Sequence, residues 1–496
     1  MHSLFATLML ALVLAPPMSW AESEKEAAQE GELSPCYLPN LSDQVSCGSV
    51  EVPELSGAGK NIDVHFAVLP ALRDKYPEEA VLVIAGGPGQ SAMDLAGHFN
   101  RLLNKVRRER DILIIDQRGT GRSNKLHCDQ MDSIEQLSFD DQSLDIEKET
   151  RNCKDELGAD LNGYNSRAAL EDFETIRKKL AYKKLHLFGT SYGTRMVQLY
   201  MRHYPESVAS GIMDGLVPLQ QNVLAVGESV DHAMELLLSQ CETQPACQQR
   251  YPNLRQDFQD LLSNIGGQTL LQGVKHPVSA EGAALRLTRS KLNGVLRLAL
   301  YSQQARSLLP YAIDRLKLGD SGPILGLFGM TLSGFELAMG MHAAIVCAED
   351  WPRLTDEDRA QMKGSLIGED MLAALDIACP VWNVAPNLSD FEKPLVSDIP
   401  SLLLSGKYDP ATPPAWASTM ESQLGNSLHV VFPNATHSVA GHTCANELIA
   451  EFIAEPNPDE VDLSCVEKDK ERGFFLNANS AAADLAEETE ESMDDD

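Results

Sequence analysis

The sequence predicts an α/β fold, a mostly parallel and doubly wound sheet into which a helical segment has been inserted. Two observations carry that expectation. Between Ile62 and Ser210 short apolar runs alternate with helix-like stretches, and several of the runs are nearly continuous in apolar residues. Strands covered on both faces of a parallel sheet need that composition. After Pro218 the alternation stops, helical patterns fill about 221–390, and strand signals return only at Pro400. A sheet interrupted by helices and then resumed is the simplest architecture with this order.

In chain order, the predicted strands are Ile62–Leu69, Ala80–Ile84, Ile112–Ile115, Leu185–Phe188, Gly211–Met213, Pro400–Leu404 and Leu428–Phe432. The insertion reads as helices over Val230–Ser239, Leu254–Leu262, Ala283–Tyr301, Ala305–Leu316 and Gly368–Leu375, and a closing helix is expected over Thr443–Ala454. In open α/β sheets ligands bind beyond the carboxyl ends of the strands, so helices inserted there would roof the site. The expected organisation is a leader over 1–21, a first core segment over 22–220, the helical cap over 221–390, a second core segment over 391–470, and an acidic disordered tail over 471–496.

The leader expectation rests on the apolar run Leu4–Ala15, too short to span a bilayer, followed by Ser19-Trp-Ala21 with small residues where a signal peptidase cuts. Ten cysteines fit an exported chain and fall into the sequential pairs Cys36/Cys47, Cys128/Cys153, Cys241/Cys247, Cys347/Cys379 and Cys444/Cys465, although sequence alone does not fix connectivity. A net charge of −31 opposes binding to nucleic acid or to anionic membrane surfaces. No C-x-x-C occurs, no metal or other cofactor is expected, and the oligomeric state stays open.

The chemistry centres on Gly189-Thr-Ser-Tyr-Gly193, a G-x-S-x-G placed between a predicted strand and a predicted helix. That context makes it a nucleophile elbow, in which glycines let strand and helix approach while the serine stands proud of the sheet. Acyl transfer also needs a base, an acid to orient the base, and N–H donors for the oxyanion. In the order Ser, Asp, His, the base is expected at His437 in Pro433-Asn-Ala-Thr-His437, with His442 as its rival. The acid is expected at Asp409 in Ser405-Gly-Lys-Tyr-Asp-Pro-Ala-Thr-Pro413. Asp214, after the strand Gly211–Met213, is the other candidate acid, and its expected role is to support the loop that leads into the cap. Tyr192 and Gly87 are the expected oxyanion donors, since Pro88 has no N–H to offer. Arg118, in Asp116–Ser123, is expected to brace neighbouring loops.

Gly86-Gly-Pro-Gly89, Asp116-Gln-Arg-Gly-Thr-Gly-Arg-Ser123, Gly189-Thr-Ser-Tyr-Gly193, Tyr408-Asp-Pro-Ala-Thr-Pro413 and the late His437 together resemble the secreted bacterial α/β-hydrolases of the tripeptidyl aminopeptidase group, relatives of the prolyl aminopeptidases. Ala344-Ile-Val-Cys-Ala-Glu349 and Cys444…Cys465 extend the resemblance. It implies an α/β-hydrolase fold with a helical cap, a Ser191–Asp409–His437 triad, Gly87 and Tyr192 as oxyanion donors, and a peptide as substrate. Two features depart from the prolyl aminopeptidases: Ala85 stands where they carry a histidine, and their tryptophan-and-glutamate cap motif is missing. An aminopeptidase must hold a free α-ammonium, for which Glu349 is the candidate carboxylate, with Asp350 and Glu336 behind it. The competing functions are a carboxylesterase using the same triad and a non-catalytic binding protein on a hydrolase scaffold.

Overall fold

The computed structural model describes residues 33–481 apart from 58, 129–132, 266–269, 278, 333–336 and 442. The leader 1–21, Glu336, His442 and the acidic end 484–496 therefore lie outside the described residues.

Nine strands form one sheet: β1 (Ser34–Cys36), β2 (Val45–Pro53), β3 (Asn61–Leu69), β4 (Glu79–Ile84), β5 (Asp111–Ile115), β6 (Lys184–Thr190), β7 (Val208–Asp214), then β10 (Ser401–Gly406) and β11 (Ser427–Phe432). Their spatial order is β1-β2-β3-β5-β4-β6-β7-β10-β11. The three amino-terminal strands pair antiparallel, and every pairing from β5 to β11 is parallel. Alternate residues of each central strand serve different cores. Leu82, Ile84, Leu185, Leu187 and Met213 join one apolar cluster, while Val81, Val83, Phe188, Ile212 and Leu404 join another. A strand buried on both faces cannot carry the polar half of an alternating pattern, which is why these segments read as unbroken apolar runs.

Between β7 and β10 the chain leaves the sheet. It forms helices at Val226–Thr243, Leu254–Asn264, Arg289–Leu300, Gln303–Lys317 and Gly368–Trp382 among others, with an antiparallel hairpin of β8 (Leu270–Lys275) and β9 (Gly282–Arg286). Most of these helices share their own apolar core, built around Leu237, Leu296, Leu300, Leu309 and Ile313. The helix expected over Ala283–Tyr301 begins only at Arg289, because Gly282–Arg286 pairs with Leu270–Lys275 as a strand. Thr288 then caps the helix by accepting the Lys291 N–H.

The expected tail boundary at residue 470 also moves. Phe474 is 1% exposed within the insertion's core, Glu471 accepts hydrogen bonds from Gln240 and Gln244, and the Phe475 carbonyl accepts the Tyr251 hydroxyl at 2.8 Å. An apolar Gly473-Phe-Phe-Leu476 segment has surface to bury. All ten cysteines are paired, as Cys36–Cys47, Cys128–Cys153, Cys241–Cys247, Cys347–Cys379 and Cys444–Cys465. Among the described residues no helix is long and apolar enough to cross a membrane.

Candidate active site

Strand β6 ends at Thr190, and the helix Tyr192–His203 begins two residues later. Ser191 between them has φ 56° and ψ −121°, a conformation that a residue with a Cβ seldom adopts. The turn is held from three sides. The Ser191 N–H donates to the Asp214 carbonyl at 2.9 Å, and the Ser191 carbonyl accepts both the Thr194 N–H at 2.9 Å and the Thr194 hydroxyl at 2.6 Å. A Cβ on Gly189 would come within 2.5 Å of the Gly193 carbonyl oxygen, and one on Gly193 within 2.4 Å of the Ile84 carbonyl oxygen. Both glycines are thus required by the close approach of strand, helix and β4.

Asp409 follows β10, and His437 lies in the loop after β11. His437 Nδ1 is 2.9 and 2.8 Å from the two Asp409 carboxylate oxygens. The carboxylate is held in turn by the backbone N–H groups of Ala411 and Thr412 and by the Thr412 hydroxyl, each at 2.8 Å. With its Nδ1 proton given to Asp409, the imidazole carries its lone pair on Nε2. Burial lowers the His437 pKa, but the charge and hydrogen bond of Asp409 outweigh it, so the net shift is upward from the usual 6.5.

Asp214 does not meet the imidazole nitrogen. Its two oxygens accept the backbone N–H groups of Val439 at 2.9 Å and Ala440 at 3.0 Å. The carboxylate expected to steady the loop into the insertion instead steadies the loop that carries His437, because β7 lies beside β10 and its end faces that loop. Burial raises Asp214 to about 6, opposed chiefly by the Ala440 N–H.

Ser191 and His437 line one cavity of about 650 Å³, together with Gly86, Gly87, Tyr192 and residues of the insertion. Tyr192 is the first residue of its helix, so its N–H has no acceptor within the helix. Gly87 holds φ at +108°, and a Cβ there would meet the Gly89 nitrogen at 2.7 Å. The glycine loop is tied to the Asp116–Ser123 turn, since Asp116 Oδ1 accepts the Ser91 hydroxyl at 2.8 Å and the Met93 N–H at 3.0 Å. Arg118 braces that turn with a two-pronged pair to Asp172, both contacts at 2.7 Å, and with hydrogen bonds to the carbonyls of Glu54 and Gly163.

Comparison with known proteins agrees with this arrangement at both ends of the chain. Residues 79–279 match the family described as alpha/beta hydrolase fold, and residues 364–465 match the TAP-like protein family. The chain is an α/β-hydrolase of the TAP-like family. It is 23% identical over 453 residues to YuaR of Escherichia coli strain K12, covering 86% of this chain and 88% of that protein. Serine protease Hip1 of Mycobacterium tuberculosis is 23% identical over 480 residues, covering 87% and 90%. Tripeptidyl aminopeptidase of Streptomyces lividans is 21% identical over 471 residues, covering 86% and 84%. The protein is a serine hydrolase of the peptidase type.

Elsewhere the hydrolase departs from the expectation. Glu349 does not line the cavity. It is fully buried, and its two oxygens accept the Ser166 N–H at 2.8 Å and the Ser166 hydroxyl at 2.7 Å. Ser166 Oγ lies 2.8 Å from the Tyr192 hydroxyl, so Glu349 ends a buried chain behind the elbow. Burial raises it to about 7. Asp350 is equally committed, with both oxygens taken by Arg195 at 2.8 and 2.9 Å and one shared with Arg353 at 2.9 Å. Neither carboxylate is available to a substrate ammonium.

Sequence reasoning also missed contacts made by the insertion. Tyr301 stands edge-on to His437 with ring centroids 5.0 Å apart, its carbonyl accepts the Thr436 hydroxyl at 2.8 Å, and Gln303 donates to the Asn434 carbonyl at 2.6 Å. The helix Arg289–Leu300 further places Arg297 on the cavity wall. Nothing in the local pattern marks either residue, since an arginine in the last turn of an amphipathic helix reads as a solvated end.

Proposed function

We propose that this hydrolase is an exported serine exopeptidase that releases short pieces from peptide amino-termini through an acyl-enzyme. Ser191 is the nucleophile, His437 the general base and then acid, and Asp409 the group that fixes the imidazole tautomer. The N–H groups of Gly87 and Tyr192 receive the oxyanion. The observation that carries this reading is the pair of contacts of 2.8 and 2.9 Å between His437 Nδ1 and Asp409, on a histidine sharing a cavity with the strained Ser191.

In the reaction, His437 Nε2 takes the Ser191 hydroxyl proton as Oγ attacks the scissile carbonyl, and the carbonyl oxygen gains negative charge against the two N–H groups. The imidazolium then gives its proton to the leaving amine, the amide C–N bond breaks, and the amino-terminal piece remains as an ester on Ser191. Water, deprotonated by His437, hydrolyses that ester. The helical insertion roofs the cavity, so a chain end enters more readily than the middle of a folded protein. Five disulfides and the leader pattern of residues 1–21 support export. The aminopeptidase direction is supported by the likeness to tripeptidyl aminopeptidase, and the ammonium is held by a group other than Glu349 or Asp350.

A carboxylesterase is the second reading. It is favoured by the absence, among the described cavity residues, of a carboxylate with an uncommitted oxygen, since Asp214 is taken by two N–H groups. The deciding experiment is a panel of peptide amides with free and acetylated amino-termini beside short-chain aryl esters. The proposal requires cleavage of free peptides with kcat/KM at least about tenfold above their acetylated forms, equivalent to about 1.4 kcal/mol. Equal cleavage of both forms removes the aminopeptidase assignment. Cleavage of esters alone replaces it with the esterase.

A further inference from the structure

Arg297 projects from the last turn of the helix Arg289–Leu300 into the wall of the cavity that contains Ser191 and His437. Its Nε is buried and has no hydrogen-bond partner, and among the described residues no carboxylate pairs with its guanidinium. Other arginines with an unmet Nε are engaged through the rest of the guanidinium. Arg195 is clamped by Asp350, Arg306 donates through Nη1 to Gln240, and Arg286 lies 3.7 Å from Asp140. Arg297 alone of these lines the cavity, and among the described residues no acceptor meets its guanidinium. Its charge opposes protonation of both His437 and His342, which places it within electrostatic range of the reacting groups.

A buried N–H left unmet is costly, and an arginine presents Nε and Nη as a planar fork matched to the two oxygens of a carboxylate. Two other ionisable cavity residues are already committed. Asp214 spends both oxygens on the His437 loop, and His342 Nδ1 lies 3.0 Å from the Pro88 carbonyl. Much of the remaining wall is apolar, including Leu224, Val226, Leu298, Met330, Leu337 and Met371.

We propose that Arg297 is a specificity-determining residue that binds a carboxylate of the substrate, so that the preferred peptides are short and acidic, carrying the anion on a side chain or at their own carboxyl terminus. This deepens the serine peptidase reading and rests on it. The charged end is docked on the insertion helix while the scissile carbonyl lies at Ser191, and the carboxylate makes the hydrogen bonds that Arg297 lacks.

The test compares short peptides in matched forms, Glu against Gln in the side chain and free acid against amide at the carboxyl terminus, on the wild type, Arg297→Met and Arg297→Lys. The readout is the ratio of kcat/KM for each charged peptide to its neutral isostere. In the wild type at least one pair should give a ratio of tenfold or more, and the pair that does so identifies the source of the anion. Arg297→Met should bring that ratio to about one, with Arg297→Lys between, since a point charge replaces the fork. A second measurement needs no variant: glutarate should inhibit the wild type competitively at least tenfold more tightly than glutaramide. Ratios near one in the wild type, a ratio that survives Arg297→Met, or equal inhibition by the two glutaryl compounds would overturn the proposal while leaving the peptidase assignment in place. A wild type that cleaves neither peptides nor esters would overturn that assignment as well.

Discussion

The carboxylate of Asp214 accepts the backbone N–H of Val439 at 2.9 Å and so ties the end of β7 to the loop carrying His437. Asp409 meets the imidazole itself. Two acids at adjacent strand ends therefore act on one loop, Asp409 on the His437 ring and Asp214 on the backbone of Val439 and Ala440 just beyond it.

Asp409→Asn and Asp214→Asn should separate those roles. The first sets a donor against Nδ1 and favours the wrong tautomer, with a loss in kcat on the order of 10⁴. The second leaves one of two buried N–H groups without an acceptor, costing about 1–3 kcal/mol of stability with a smaller loss of rate. Steady-state kinetics and urea unfolding of both variants check the ranking, and a larger rate loss for Asp214→Asn would reassign the acid.

Gly215→Ala should disable the site without replacing a reacting group. Gly215 has φ +71°, and a Cβ there would lie 2.7 Å from Thr412 Oγ1 and 3.0 Å from His437 Cε1. The histidine and the acid loop would both have to shift. A loss of kcat of tenfold or more is expected, with labelling of Ser191 by a fluorophosphonate slowed in parallel.

The rate should depend on pH through His437. In the proposed mechanism His437 must be neutral to take the Ser191 proton, and its pKa lies above the usual 6.5 because Asp409, helped by Asp214, outweighs burial and the opposing charge of Arg297. Activity is therefore low at acid pH and rises as pH passes through a value above 6.5. Removing the carboxylate charge in Asp409→Asn should move the inflection of the remaining kcat/KM profile downward.

Glu349→Gln should leave any preference for free amino-termini unchanged, because the carboxylate faces Ser166 and not the cavity. It should instead alter the pH dependence of stability. Burial raises Glu349 from 4.5 to about 7, so its contribution is full below about 4.5 and is lost as pH climbs through about 7. Thermal unfolding from pH 4 to 8 should show the wild type losing stability relative to the variant over that interval.

The central sheet and the elbow were legible because both leave strong local marks. Val81–Ile84 is apolar at every position and Leu185–Phe188 at all but His186, and backbone atoms occupy the space a Cβ on Gly189 or Gly193 would need. β2 lacks an apolar run because Val45-Ser-Cys-Gly-Ser-Val50 carries small and polar residues, which the antiparallel part of the sheet permits on a face open to water. β9 was read as helix because Ala283-Ala-Leu-Arg286 has high helix propensity, which pairing with β8 overrides. The fates of Glu349 and Arg297 depend on which element packs opposite them, and no local pattern records that. The contact between Asp409 and His437 was legible because both loops directly follow strands at the carboxyl edge of the sheet.

Mass-spectrometric mapping of a fluorophosphonate adduct tests the central claim most directly. The wild type should carry one adduct, on Ser191, with loss of hydrolysis in proportion to labelling, and Ser191→Ala should neither label nor turn over substrate while unfolding as the wild type does. An adduct on another residue, or turnover near wild-type level in Ser191→Ala, would contradict it.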